Sequence, residues 1–440
     1  MARAGRDGEA EGGEPRWLLL PVELWRREID TRLLLSLYAL RRGRRVLLGY
    51  LSDPAFAAAP PGALLYKSHN ASVRDYLGRW RARGHVCAAL DEEGLIYRSP
   101  ELYVATRIDA AACDGFARLF AWGAAQAALF PAELRPKLVV SGHPKIDLAR
   151  LAAPGPARAP GAPLSVLVNT RFPLLTGFVR AEAAPGYLAK ERAILETFDA
   201  AVRRLAAEPG VAVRLRPHPS EDPAAYAARF ADCPAVTIEA DRGLIDAVRA
   251  SDAVVHDSCT TAIEAAAFGA PVFGLRPPGL GDHYDTAANR FSTNLSDPEA
   301  LLGRLRALRD GRAAPPIRPE GADRLIANLS GPLAVETILD TLAPLTPPGA
   351  PAPAAWTLAR PARALGAAAR GLRDAVRRRR DAVREQKFSA ALTEADLRAR
   401  LATLNDGLRA PQDLSGLRLR KVGRRAFLMS LDPAARPGPR

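Results

Sequence analysis

Val254-Val255-His256-Asp257-Ser258-Cys259-Thr260-Thr261-Ala262-Ile263-Glu264-Ala265-Ala266-Ala267-Phe268-Gly269-Ala270-Pro271 reads as a strand, a hydroxyl-rich turn and a short helix. The apolar run ends at His256, and Gly269 followed by Pro271 supplies the usual signals for stopping a helix. Ser258, Thr260 and Thr261 then stand at a helix N-terminus, where free backbone N–H groups and the helix dipole favour an anion such as a phosphate. That pull is about 0.3–2 kcal/mol per charge, enough to orient a phosphate ester but not to bind it alone. Thr261-x-x-Glu264 also fits a capping box, which needs no ligand. On this stretch alone both readings stay open.

Upstream, Val211-Ala212-Val213-Arg214-Leu215-Arg216-Pro217-His218-Pro219 is a second short strand, ended by two prolines that bracket His218. In an open α/β sheet the ligand crevice lies beyond the carboxyl ends of the strands, so both tips are expected to face one cleft. Working outward, strands at 18–22, 46–50, 63–67, 86–90, 118–122 and 137–141 alternate with helical patterns such as 23–42 and 71–83. The Pro- and Ala-rich stretch 154–163 breaks the alternation and reads as a linker. Beyond it, strands at 165–169, 211–215, 253–256 and 272–275 alternate with helices at 188–207, 244–250, 260–268 and 298–309. The expected class is therefore α/β, with two Rossmann-like domains, 15–153 and 164–345, facing a central cleft. Residues 1–14 read as disordered, and 346–440 as a basic tail that is helical or partly disordered.

The chain has 440 residues and a formal net charge of +14. That excess falls almost wholly after Thr346, so the two domains are near neutral and nucleic acid is not an expected partner. In the tail, Leu358, Leu365, Leu372, Val376 and Val383 share one helical face among arginines. Such a helix suits an anionic membrane surface, while a helix packed on its own domain, or disorder, fits equally well. The four cysteines, Cys87, Cys113, Cys233 and Cys259, lack metal-ligand spacing and suggest a reducing compartment. With no signal-peptide core at the N-terminus, a cytoplasmic location is expected, peripheral to the membrane if the tail engages it. No G-x-G-x-x-G fingerprint occurs, so no nicotinamide or flavin cofactor is expected.

Asp91-Glu92-Glu93-Gly94 follows the strand at 86–90. It places carboxylates at another strand tip, where mutual repulsion is expected to raise the proton affinity of one of them, as suits a general base. Asn169 and Thr170, with Arg171, stand at the tip of the strand at 165–169. Asp91-Glu92-Glu93-Gly94 resembles the D/E-D/E-G motif, and His218-Pro219 the HP motif, of GT-B glycosyltransferases that use CMP-activated sugars, such as sialyl-, polysialyl- and Kdo transferases. The Ser258 to Thr261 loop resembles their serine-threonine motif. Three further stretches, Pro21 to Glu28, Phe120 to Gln126 and Gly142-His143-Pro144-Lys145-Ile146-Asp147-Leu148, resemble the surface carbohydrate biosynthesis proteins.

The resemblance covers roughly residues 16–345 and implies a GT-B-like fold and a division of labour. Glu93, or else Glu92, would deprotonate the acceptor. His218, with Pro219 fixing its backbone and Arg216 adding charge, would meet the phosphate of the leaving nucleotide. Ser258, Thr260 and Thr261 would hydrogen-bond that phosphate, and Glu264 would reach a ribose hydroxyl or merely cap. Glycosyl transfer needs both jobs done, because it expels an anionic phosphate and consumes a nucleophile. No D-x-D sequence follows a strand tip, so metal-independent stabilisation of the leaving group is expected. The expected function is transfer of a sugar, an ulosonic acid such as Kdo or a sialic-acid-like sugar, from a CMP donor to a glycan or lipid-linked glycan acceptor in surface polysaccharide synthesis. The alternatives are a polyol-phosphate transferase using a CDP-glycerol-type donor, a UDP-sugar epimerase, and a non-catalytic membrane-associated assembly protein.

Overall fold

The alternation of strands and helices is present in the computed structural model, which describes residues 16–97, 99–172, 185–219, 221–240, 242–280, 286–312, 315–357 and 392–432. The first domain contributes β1 (Trp17–Pro21), β2 (Arg45–Gly49), β3 (Ala63–Tyr66), β4 (Val86–Leu90), β5 (Arg118–Ala121) and β6 (Leu138–Val140). All pair in parallel, in the order β2-β1-β3-β4-β5-β6. The second domain holds β7 (Leu164–Asn169), β8 (Val211–Arg216), β9 (Val236–Ile238), β10 (Ala253–His256), β11 (Val272–Leu275) and β12 (Thr293–Leu295).

Parallel strands covered on both faces read as near-continuous apolar runs, and β1, Trp17-Leu18-Leu19-Leu20-Pro21, is buried along its whole length. Alternate residues serve opposite layers. Leu18 and Leu20 join the cluster around helix Trp25–Arg41, whereas Trp17 and Leu19 join one with Phe56 and Trp80 on the other face. The second sheet runs β12-β11-β10-β7-β8-β9. Numbered within its own domain this is the Rossmann order 3-2-1-4-5-6, and its reversal falls between β7 and β10. The two sheets belong to a GT-B-like architecture, with the lobes meeting where helix Thr261–Phe268 packs on helix Pro144–Leu151.

Two domain boundaries differ from expectation. Residues beyond the helix Pro298–Arg309 return to the first lobe, where Val335, Ile338 and Leu339 of helix Ala334–Leu342 are buried in the cluster around Trp25–Arg41. Asp147 fixes that crossing. Its carboxylate accepts from the Ala334 and Val335 N–H groups at 3.0 and 2.8 Å and from Asn328 Nδ2 at 2.7 Å. Burial nevertheless pushes its carboxyl up to about 6. Asp147→Ala strands two buried helix N–H groups, and the expected loss is about 1–3 kcal/mol, read as a lower urea midpoint at unchanged m. An unaltered midpoint would contradict this role.

The second difference is the tail. Part of it is not an appendage but an element of the first domain: β13 (Leu417–Lys421) and β14 (Ala426–Leu431) form a hairpin whose β14 pairs antiparallel with β2. Helix Glu394–Asp406, opened by a Thr393/Asp396 capping box, buries Leu397 and Leu401, and its Arg400 pairs with Asp30 at 2.6 Å. The physical reason lies in period two. Leu417 and Leu419 face inward while Arg418 and Arg420 face outward, so a strongly basic strand still has an apolar face. The amphipathic basic run from Leu358 to Val383 and residues 1–14 lie outside the described residues. No described helix is long and apolar enough to cross a membrane.

Candidate active site

The carboxyl ends of β7, β8 and β10 meet helices Trp25–Arg41 and Pro144–Leu151 around one cleft with about 690 Å3 of empty space. From β7 come Asn169 and Thr170, from β8 Arg216, and from the turn after it His218 and Pro219. Thr260, Thr261 and Glu264 supply the wall below the switch point. These expected residues are therefore brought together, at the position where an open α/β sheet places its ligand.

Ser258 is the exception in that loop. It is fully buried with φ of 156°, a backbone angle that L residues seldom adopt, and it turns its hydroxyl inward to Asn289 Oδ1 at 3.0 Å. His256 is likewise part of the scaffold. Its Nδ1 accepts the Cys259 N–H at 3.3 Å, so Nε2 holds the proton and gives it to Ser292 Oγ at 2.7 Å. The capping-box reading of Thr261-x-x-Glu264 is corrected too. Thr260 occupies the cap position without a side-chain hydrogen bond, which leaves Glu264 to face the cleft.

Burial pushes the Glu264 carboxyl up to about 7, against the opposing charges of Lys145 and Arg216. Its proton affinity thus matches neutral pH.

The expected acids on the opposite lobe are placed differently. Neither Glu92 nor Glu93 borders the cleft; each stands behind a cation that does. Glu92 is buried and lies 2.9 Å from Lys145 Nζ and 3.5 Å from Arg32. Burial alone would push its carboxyl up, but Lys145 foremost, with Arg32 and Arg27, holds it well below the usual carboxylate range. Glu93 is half-exposed and pairs with Arg27 at 2.8 Å and Arg107 at 3.4 Å. Burial opposes these two cations, and they win, so Glu93 too is held low. Repulsion among neighbouring acids therefore does not raise either proton affinity, because cations surround both. Asp91 is tied to Arg107 and to the Tyr103 hydroxyl, and a Cβ at Gly94 would collide with Gln126, so this turn is fixed.

Lys145 and Arg27 were not singled out by sequence reasoning, yet both line the cleft. Lys145 is 6% exposed, and the charges of Glu92 and Glu264 outweigh its desolvation and keep it an ammonium. It sits at the first turn of helix Pro144–Leu151 because His143 caps that helix, with Nδ1 accepting the Lys145 N–H at 3.1 Å. The His143 ring stacks on Trp122, centroids 4.1 Å apart, and burial holds it neutral at about 3. Glu221, three residues after His218, was also missed. It accepts the His218 N–H and the Thr170 hydroxyl, both at 2.7 Å, and the Phe172 N–H, so it ties the β7 and β8 tips together.

Two polar groups on the cleft wall have unmet demand among the described residues. Arg216 is 9% exposed, and among the described residues no carboxylate pairs with it and its Nε finds no acceptor. Asn169 is 2% exposed, and among the described residues neither end of its amide finds a hydrogen-bond partner. His218 is driven down to about 3 by burial first and then by Arg171, Arg27 and Arg216. A buried guanidinium without a carboxylate among the described residues, beside a neutral imidazole, fits an anion.

No known family model and no curated protein sequence matches the chain. Solved structures that are similar to it include a provisionally named UDP-N-acetylglucosamine 2-epimerase of Listeria monocytogenes, at 15% identity and TM-score 0.48, covering 76% of this chain and 96% of that one. The UDP-GlcNAc 2-epimerase of Neisseria meningitidis bound to UDP-GlcNAc is 13% identical, with TM-score 0.46 and coverage of 75% and 100%. The wall teichoic acid polymerase TagF is 9% identical, with TM-score 0.46 and coverage of 75% and 88%.

Proposed function

We propose that the chain is a nucleotide-sugar-dependent glycosyltransferase of surface polysaccharide synthesis, with the donor phosphate seated between His218, Arg216 and the start of helix Thr261–Phe268. The observation that carries this reading is the buried Arg216, which lines the cleft without a carboxylate partner among the described residues beside a neutral His218. A buried, uncompensated guanidinium is costly, and a phosphate would restore the balance. As the leaving phosphate gains charge, the neutral His218 imidazole donates an N–H hydrogen bond to it, and the N–H groups at the helix start add fixed donors. The motif resemblance favours CMP as the nucleotide and an ulosonic acid as the sugar.

Glu264 takes the part of acceptor base, in place of Glu93 and Glu92, because it borders the cleft and they do not. In this scheme Glu92 holds Lys145 in place and Glu93 holds Arg27, so both acids act by positioning cations. Thermal shift with CMP, CDP, UDP and GDP tests the donor class. Saturating CMP at 100 times its dissociation constant should stabilise by about 2.7 kcal/mol. His218→Ala is expected to lower kcat/KM for CMP release in the presence of glycan acceptor by about 10- to 100-fold. Indifference to every nucleotide, or full activity of that variant, would refute the reading.

A further inference from the structure

A second recess, with about 360 Å3 of empty space, lies beside Trp25 at the start of helix Trp25–Arg41. Trp25, Tyr50 and Phe427 give it aromatic walls, and Arg424 and Arg425, from the turn between β13 and β14, give it charge. Arg27 and Asp30 of the same helix line the nucleotide cleft, so a single helical turn separates the two cavities.

The recess is built rather than incidental. The Arg425 N–H donates to Asp53 Oδ2 at 2.8 Å, and the Arg425 carbonyl accepts the Tyr50 N–H at 2.9 Å. A Cβ at Gly49 would run into the Arg425 backbone, and one at Gly423 into the Asp53 carboxylate, so glycine is required at both contacts. The Arg425 guanidinium lies 5.7 Å from the Tyr50 ring centroid. Among the described residues it pairs with no carboxylate, and its Nε has no acceptor.

We propose that this recess is an acceptor subsite for a glycan ending in a carboxylate-bearing sugar, an inference that rests on the glycosyl-transfer reading of the neighbouring cleft. Aromatic rings cover the apolar faces of sugar rings, and a single planar guanidinium fork matches a carboxylate in two parallel hydrogen bonds. The position follows as well, since the acceptor must approach the donor sugar from the first lobe.

The test is calorimetric titration of the full-length protein with pentagalacturonate, and with maltopentaose as its neutral counterpart, at matched ionic strength. Pentagalacturonate should bind at least about tenfold more tightly than maltopentaose. Arg425→Gln, which keeps the backbone contacts to Asp53 and Tyr50, should abolish that difference and leave CMP affinity unchanged. Arg418→Gln, on the outward face of the same hairpin, should change nothing. Equal binding of the acidic and neutral oligosaccharides, or equal losses from Arg418→Gln and Arg425→Gln, would overturn the subsite. Loss of nucleotide binding in the wild type, with selective glycan binding intact, would instead overturn the reading of the cleft.

Discussion

Replacing Lys145 by methionine is expected to lower the unfolding free energy by about 3–5 kcal/mol, because it removes the ammonium that stands between two buried carboxylates. Lys145 lies 2.9 Å from Glu92, and its charge opposes the burial that lifts Glu264. Methionine fills a similar volume, so a cavity contributes little. The effect should depend on pH in a fixed direction. Without the ammonium, Glu264 binds its proton still more tightly in the folded chain than in the unfolded one, while Glu92 loses the nearest of its cations. Stability from a carboxyl raised in this way is present at low pH and is lost as pH rises through the folded value. The deficit should therefore be larger at pH 8 than at pH 5.5, as read from urea midpoints. A small deficit, or one independent of pH, would show that Lys145 does not hold the two acids.

The second large effect concerns Glu264. Glu264→Gln is expected to reduce kcat by about 10²–10⁴-fold, the usual range for loss of a general base. With the carboxyl pushed up to about 7, the basic form appears as pH rises, so wild-type kcat should climb through neutrality and level off above it. Glutamine cannot titrate there, and the variant should lack that limb. Glu93→Gln should cost less than about tenfold, since it only loosens Arg27. If Glu264 instead holds a ribose hydroxyl, KM rises, kcat stays near wild type and the pH limb survives. That result would remove Glu264 from the chemistry without moving the nucleotide site.

Much of this was legible in the sequence, for identifiable reasons. Every strand of the two parallel cores that carries a long apolar run was visible, because burial on both faces leaves no room for polar residues. β9 and β12 escaped notice. Each has three residues and stands at a sheet edge, too short to show a period. The hairpin of β13 and β14 was hidden by arginine content, since counting charges obscured the alternation of Leu417 and Leu419 with Arg418 and Arg420.

Arg216, His218, Thr260, Thr261 and Asn169 line the cleft as expected, because strand tips and helix starts have local signatures. Lys145 and Arg27 were not expected there, because their part depends on two lobes closing, and no local pattern announces which cation will end up between facing acids. Glu92 and Glu93 were found as a turn and misplaced as cleft residues for the same reason. The carboxylates were evident, but the arginines and the lysine that enclose them come from elements far away in the chain. Ser258 shows the opposite limit, since only the inward twist at φ of 156° separates it from the threonines beside it.

Everything functional here turns on an anion completing the group formed by Arg216, His218 and the first turn of helix Thr261–Phe268. A crystal structure of the protein soaked with CMP tests this most directly. The account predicts the phosphate within hydrogen-bonding distance of the His218 imidazole and the Arg216 guanidinium, with the Glu264 carboxyl left clear of the nucleotide for the acceptor. A CMP phosphate bound elsewhere, with Arg216 and His218 left untouched, would contradict it.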